Sequence, residues 1–145
     1  MSDKPAHRIN NRLRYVAGRD QLRQKGNAMN DFPAFMKNSK NKISSRSQYS
    51  KGIQGYVYDG AEGSQMAFWT HAIDGISQEH VHDYDEYFVV VQGKYTLLID
   101  GNKIPLGVGQ EYFIPKGLAH AGEYSAGTRT IYAFGGKRAK REIEE

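Results

Sequence analysis

From Ile53 onward, apolar and polar residues alternate in short runs, and this is the strongest structural signal in the chain. The runs IQGYVY, QMAFWTH, EYFVVVQ, KYTLLID, EYFIP and TRTIYAF start at Ile53, Gln65, Glu86, Lys94, Glu111 and Thr128. Each is rich in β-branched and aromatic residues, and Gly, Asp or Asn stand between them. They recur about every eight to twelve positions, the spacing of an all-β sandwich or barrel. Asp100-Gly101-Asn102, between TLLI and KIPL, predicts a tight hairpin turn. No helical stretch of consequence falls between residues 53 and 136.

The flanks have a different texture. In residues 1–28, Ile9, Leu13 and Val16 have helical spacing, which allows a short helix over Asn10–Lys25 interrupted by Gly18. This Arg-rich arm is either solvated or crosses to a partner subunit. Residues 29–52 hold an FPAFM cluster and then a polar Ser/Asn/Lys stretch. They predict a lead-in loop with one short strand near Lys42–Ser45. Residues 137–145 carry both charge signs and predict a solvated tail. The expected division is therefore an arm at 1–28, a lead-in at 29–52, a barrel at 53–136 and a tail at 137–145.

The formal net charge of +4 changes little in this picture. Seven of the 20 Lys and Arg and two of the 16 Asp and Glu lie in residues 1–28, leaving 13 basic against 14 acidic beyond. The basicity belongs to the arm, and the barrel has no basic stripe with interleaved aromatics to read nucleic acid. Cysteine is absent, which removes disulfides, thiolate ligands and cysteine nucleophiles and fits a reducing compartment. No apolar run has the length of a membrane span or the form of a signal peptide, so a cytoplasmic location is expected. Phosphate-cradling loops and nucleophile elbows are also missing.

Chemistry concentrates in Gly75–Gly93, GISQEHVHDYDEYFVVVQG. Residues two apart on a strand share a face, so His80 and His82 reach one point together. Glu86 keeps the even spacing beyond a bend at Asp83-Tyr84-Asp85, and His120 is placed to complete the set. Three imidazoles and a carboxylate, without thiolate, suit one divalent ion among Mn, Fe, Ni, Cu and Zn. Octahedral coordination would leave two positions for water, substrate or dioxygen, the pattern of a catalytic site. Around these ligands, Gln78 shares the parity of His80 and Tyr84 lies beside them. His71 ends its strand either as a packed residue or facing the cavity in an acid–base role. Tyr132 is one of the barrel aromatics available to line a pocket. Glu79, Asp83 and Asp85 are expected to face outward.

A second stretch, GQEYFIPKGLAH from Gly109 to His120, adds Pro115 to end a strand and Gly117 to turn the chain before His120. Together the two stretches resemble the cupin family, whose motifs are G-x5-H-x-H-x3,4-E-x6-G and G-x5-P-x-G-x2-H-x3-N. The first is matched by His80, His82, Glu86 and Gly93, although Gly75 has four residues between it and His80 where the motif has five. The second is matched by Gly109, Pro115, Gly117 and His120, with Tyr124 in place of the closing Asn. The resemblance implies an all-β jelly-roll barrel of one domain carrying an N-terminal extension. It implies His80, His82, Glu86 and His120 as metal ligands. It also implies a homodimeric metalloenzyme of dioxygenase, decarboxylase or isomerase type, acting on a small oxygenated compound. The alternative is a non-catalytic module that binds a carbohydrate or carboxylate.

Overall fold

Strands form wherever the alternation is strong. The computed structural model describes Met29 and residues 31–145, so the arm at 1–28 lies outside the described residues. Nine strands follow in chain order: β1 Ile53–Asp59, β2 Gln65–His71, β3 Gly75–Ile76, β4 Glu86–Gln92, β5 Tyr95–Ile99, β6 Asn102–Leu106, β7 Glu111–Ile114, β8 Ala121–Tyr124 and β9 Arg129–Phe134. They make a five-stranded sheet, β1-β2-β9-β4-β7, and a four-stranded sheet, β3-β8-β5-β6. Every pairing is antiparallel. This is the all-β jelly roll expected from the sequence. Among the described residues, no helix is long and apolar enough to cross a membrane.

Turn chemistry sets the topology. Ile99 pairs with Asn102 across Asp100-Gly101, both at positive φ (51° and 74°), the geometry of a two-residue type I′ hairpin. Pro105 lies in β6, an edge strand, where its missing N–H costs no ladder bond. The inward positions of β2 are Gln65, Ala67, Trp69 and His71, all buried. Of these, Ala67 and Trp69 join Phe88, Leu97, Tyr124, Tyr132 and Phe134 in the hydrophobic core. β3 and β8 carry no distinctive pattern. They form because their partners demand them: the Tyr95 hydroxyl lies where a Cβ at position 122 would be, so only glycine fits there.

The C-terminal segment corrects an expectation. Instead of a solvated tail, residues 138–142 pack on the barrel, with Ala139 fully buried. The Gln65 side chain holds them like a strand partner. Its Oε1 accepts from the Arg138 and Ala139 amides, each at 2.8 Å, and its Nε2 donates to the Ala139 carbonyl at 3.1 Å. Residues 42–44, where a short strand was expected, bridge Tyr56 on one side and Arg141 on the other. The Ile43 amide donates to Gly55 at 3.0 Å and the Ser44 amide to Lys140 at 2.8 Å. The free edge of β1 is thereby covered. Pro33–Glu145 forms one compact unit.

Candidate metal centre

The centre is assembled by one non-local backbone bridge. The His80 amide donates to the His120 carbonyl and the His120 amide to the His80 carbonyl, both at 3.0 Å. Side chains on such a bridge stand close together, and the two ring centroids are 4.3 Å apart. His82 follows two residues on, its carbonyl accepting from the Gly117 amide at 2.8 Å. Gly117 has a φ of 83°, a left-handed conformation that glycine adopts without strain. The bend at Asp83-Tyr84-Asp85 then delivers Glu86 to the first rung of β4, opposite Phe134 and Ile114.

Two imidazoles are oriented by carbonyls of their own chain. His80 Nδ1 lies 2.7 Å from the Gln78 carbonyl and His120 Nδ1 lies 2.9 Å from that of Leu118. Each Nδ1 is thus the donor, and each Nε2 keeps its lone pair. The ligand-capable nitrogens of His80, His82 and His120 all lie within 4.8 Å of one another. Glu86 borders this cluster. Its carboxylate oxygens are 3.7 Å from His82 Nε2 and 3.5 Å from His120 Nε2, beyond good hydrogen-bonding distance. The buried Nε2 atoms of His82 and His120 have no hydrogen-bond partner among the described residues. Burial lowers the His80 pKa to about 4, with His120, His82 and Arg138 adding to the effect against the Gln78 carbonyl. His80 is therefore neutral at pH 7, the form that binds metals.

Aromatic rings wall the cluster. Tyr49 stacks on His80 at 4.0 Å and 7°, and Tyr84 stacks on His82 at 4.9 Å and 14°. Burial raises the Tyr84 hydroxyl to a pKa of about 12, so it stays protonated. The Arg138 guanidinium lies over Tyr49, 4.7 Å from the ring centroid, and 5.7 Å from that of Trp69. Its Nη1 donates to Gln48 Oε1 at 3.0 Å.

The other residues singled out in the sequence have different fates. Gln78 is exposed, and what it supplies to the centre is its carbonyl. Tyr84 reaches the cluster. Tyr132 is a core residue packed against Phe88, Phe134 and Trp69. His71 faces the interior at the far end of β2 from Gln65. It stacks on Tyr124 at 3.9 Å, and burial lowers its pKa to about 4. Glu79, Asp83 and Asp85 are exposed. Sequence reasoning missed Gln48, Tyr49 and Arg138, which lie in segments without alternation. It also missed Gln65, whose signal was legible as a polar residue heading the inward positions of an otherwise apolar strand.

Comparison with known proteins bears on the fold. The family described as a cupin domain matches residues 67–131. An RmlC-like cupin from Shewanella frigidimarina superimposes with a TM-score of 0.57 at 18% identity, covering 81% of this chain and all of that one. KdgF from Halomonas sp. gives 0.53 at 20% identity, over 65% of this chain and 84% of its own. EutQ from Clostridium difficile gives 0.50 at 23% identity, over 64% and 79%. No curated protein matches the sequence. The family match takes in both motif stretches and the solved structures share the two-sheet architecture: residues 67–131 match the cupin domain, and the chain has the cupin fold.

Proposed function

We propose that this chain holds one divalent metal ion between His80, His82, His120 and Glu86 and acts as a small metalloenzyme on a small oxygenated compound. One observation carries the reading. In this cluster, His82 Nε2 and His120 Nε2 are buried without partners among the described residues, and a buried carboxylate stands beside both at distances too long to bond either. Buried polar atoms are rarely left unbonded, because each costs about 1–3 kcal/mol. A cation satisfies all of them together, and three nitrogens with one carboxylate suit Mn, Fe, Ni, Cu or Zn. When bound, such an ion supplies Lewis acidity toward a substrate oxygen.

The chain's own residues do the rest. The Gln78 and Leu118 carbonyls hold two imidazoles in the ligating tautomer. Tyr49 and Tyr84 cover imidazole faces and limit water. Tyr84 keeps its proton and can donate a hydrogen bond. Dioxygenase, decarboxylase and isomerase chemistry all fit this arrangement. One observation favours the second reading, a module that binds a carbohydrate or carboxylate without turning it over. Tyr84, which stacks on His82 and is not a candidate ligand, is pushed up to about 12, so it is not poised as a general base at pH 7.

The test is elemental analysis of protein purified without chelator or affinity nickel, beside a His82→Ala/His120→Ala variant. Near-stoichiometric metal in the parent and none in the variant is expected. A parent that carries no metal and takes up none on titration would overturn the proposal. Saturable binding of small oxygenated compounds without turnover would select the binding module.

A further inference from the structure

Arg138 is a half-buried guanidinium whose contacts among the described residues are all neutral. It lies over the rings of Tyr49 and Trp69 and donates from Nη1 to Gln48. No carboxylate among the described residues pairs with it, whereas Arg141 meets both Asp59 and Glu144. Its backbone is fixed by Gln65, and its ring neighbour Tyr49 is stacked directly on His80. The cation is therefore held beside the histidine cluster by groups that do not neutralise it. The edge formed by Nε and Nη2 has no acceptor among the described residues.

We propose that Arg138 is the anchor for an anionic substrate, a small compound carrying a carboxylate at the end that faces away from the histidines. The assignment rests on the metal-site reading above and narrows its substrate class. A planar fork with two parallel N–H groups matches the two oxygens of a carboxylate. Cation–π contacts with Tyr49 and Trp69, at 4.7 and 5.7 Å, hold the guanidinium without using its donors. Charge points the same way. A divalent ion with Glu86 as its carboxylate leaves a net positive site, and Arg138 adds to it, so a neutral ligand would leave the mouth uncompensated.

The test uses acetate, the smallest probe with the required group, titrated into full-length 15N-labelled protein in metal-free and zinc-loaded forms. Sodium chloride at equal ionic strength and neutral acetamide are the controls. Acetate is expected to shift the Arg138 Nε–H and Trp69 indole signals saturably, and acetamide is not. Arg138→Gln should weaken the response at Trp69 by about tenfold or more, the worth of one charge-assisted contact. Arg138→Lys, which keeps the charge without the fork, should recover part of it. Parent signals that move no more with acetate than with chloride would overturn the anchor, and so would an Arg138→Gln protein that responds like the parent. Zinc uptake measured on the same samples separates the two proposals. Uptake without an acetate response removes the anchor and spares the metal site; an acetate response without uptake does the reverse.

Discussion

The His71 imidazole is buried, and neither ring nitrogen has a partner among the described residues. Burial holds its pKa near 4, against 6.5 for the ordinary side chain, so the unfolded chain binds this proton more readily than the folded one. Stability contributed by the neutral ring is complete above about pH 6.5 and is lost as pH falls toward 4, on the order of 3 kcal/mol in all. His71→Phe removes the titrating group and keeps the stack on Tyr124. Urea midpoints at about pH 7.5 and pH 4.5 should therefore fall less in the variant than in the parent; parallel falls would refute this. The candidate ligands were legible in the sequence because His80, His82, Glu86 and His120 sit in turn-defined spacings that leave little choice of direction. Gln78 was not, because its parity presumed a strand where the chain is irregular, and its useful group is on the backbone. The two positions at which the chain departs from the cupin motifs meet in space. Gly75 pairs with Tyr124, and the Tyr124 hydroxyl would lie 2.8 Å from a Cβ at Gly75, so the tyrosine and the glycine fit each other.

At the level of elements, the strands with alternating apolar residues were readable, and the docked C-terminal segment was not. Its attachments are backbone hydrogen bonds and one buried amide, which leave no periodic apolar trace. β3 and β8 were hidden for a related reason, since pairing in a barrel creates them and not their own composition. Gln65→Leu tests the weight of the amide. It strips the Arg138 and Ala139 amides and the Ala139 carbonyl of their partners. The expected cost is about 2–4 kcal/mol, read as a lower urea midpoint, with faster hydrogen exchange at those two amides. Unchanged exchange there would mean that packing of Ala139 alone holds the segment. Replacing Gln65 should also blunt the acetate response without altering the histidine cluster, because it acts on Arg138 only through the backbone.

For the whole molecule, the outer face of the five-stranded sheet is the feature to explain. Phe68, Ile131 and Val89 lie side by side across β2, β9 and β4, and Met66, Ala133, Tyr87 and Phe113 form the next row. Met66, Tyr87 and Phe113 are exposed. Contiguous apolar faces of this kind mark interaction surfaces, and such a face suits the homodimer expected from the sequence. Light scattering should give a dimer mass for the parent and a monomer mass for Met66→Glu/Ile131→Lys; a monomeric parent refutes the assembly. The stretch that matches the cupin domain, residues 67–131, contains His80, His82, Glu86 and His120, whereas Gln48, Tyr49, Gln65 and Arg138 all lie outside it. On the two proposals above, holding the ion and choosing the ligand would fall to separate parts of the sequence. Transplanting this ligand preference to another cupin barrel would require moving residues 48–49 and 138–139 as a matched pair, together with a glutamine at the head of the second strand to receive them.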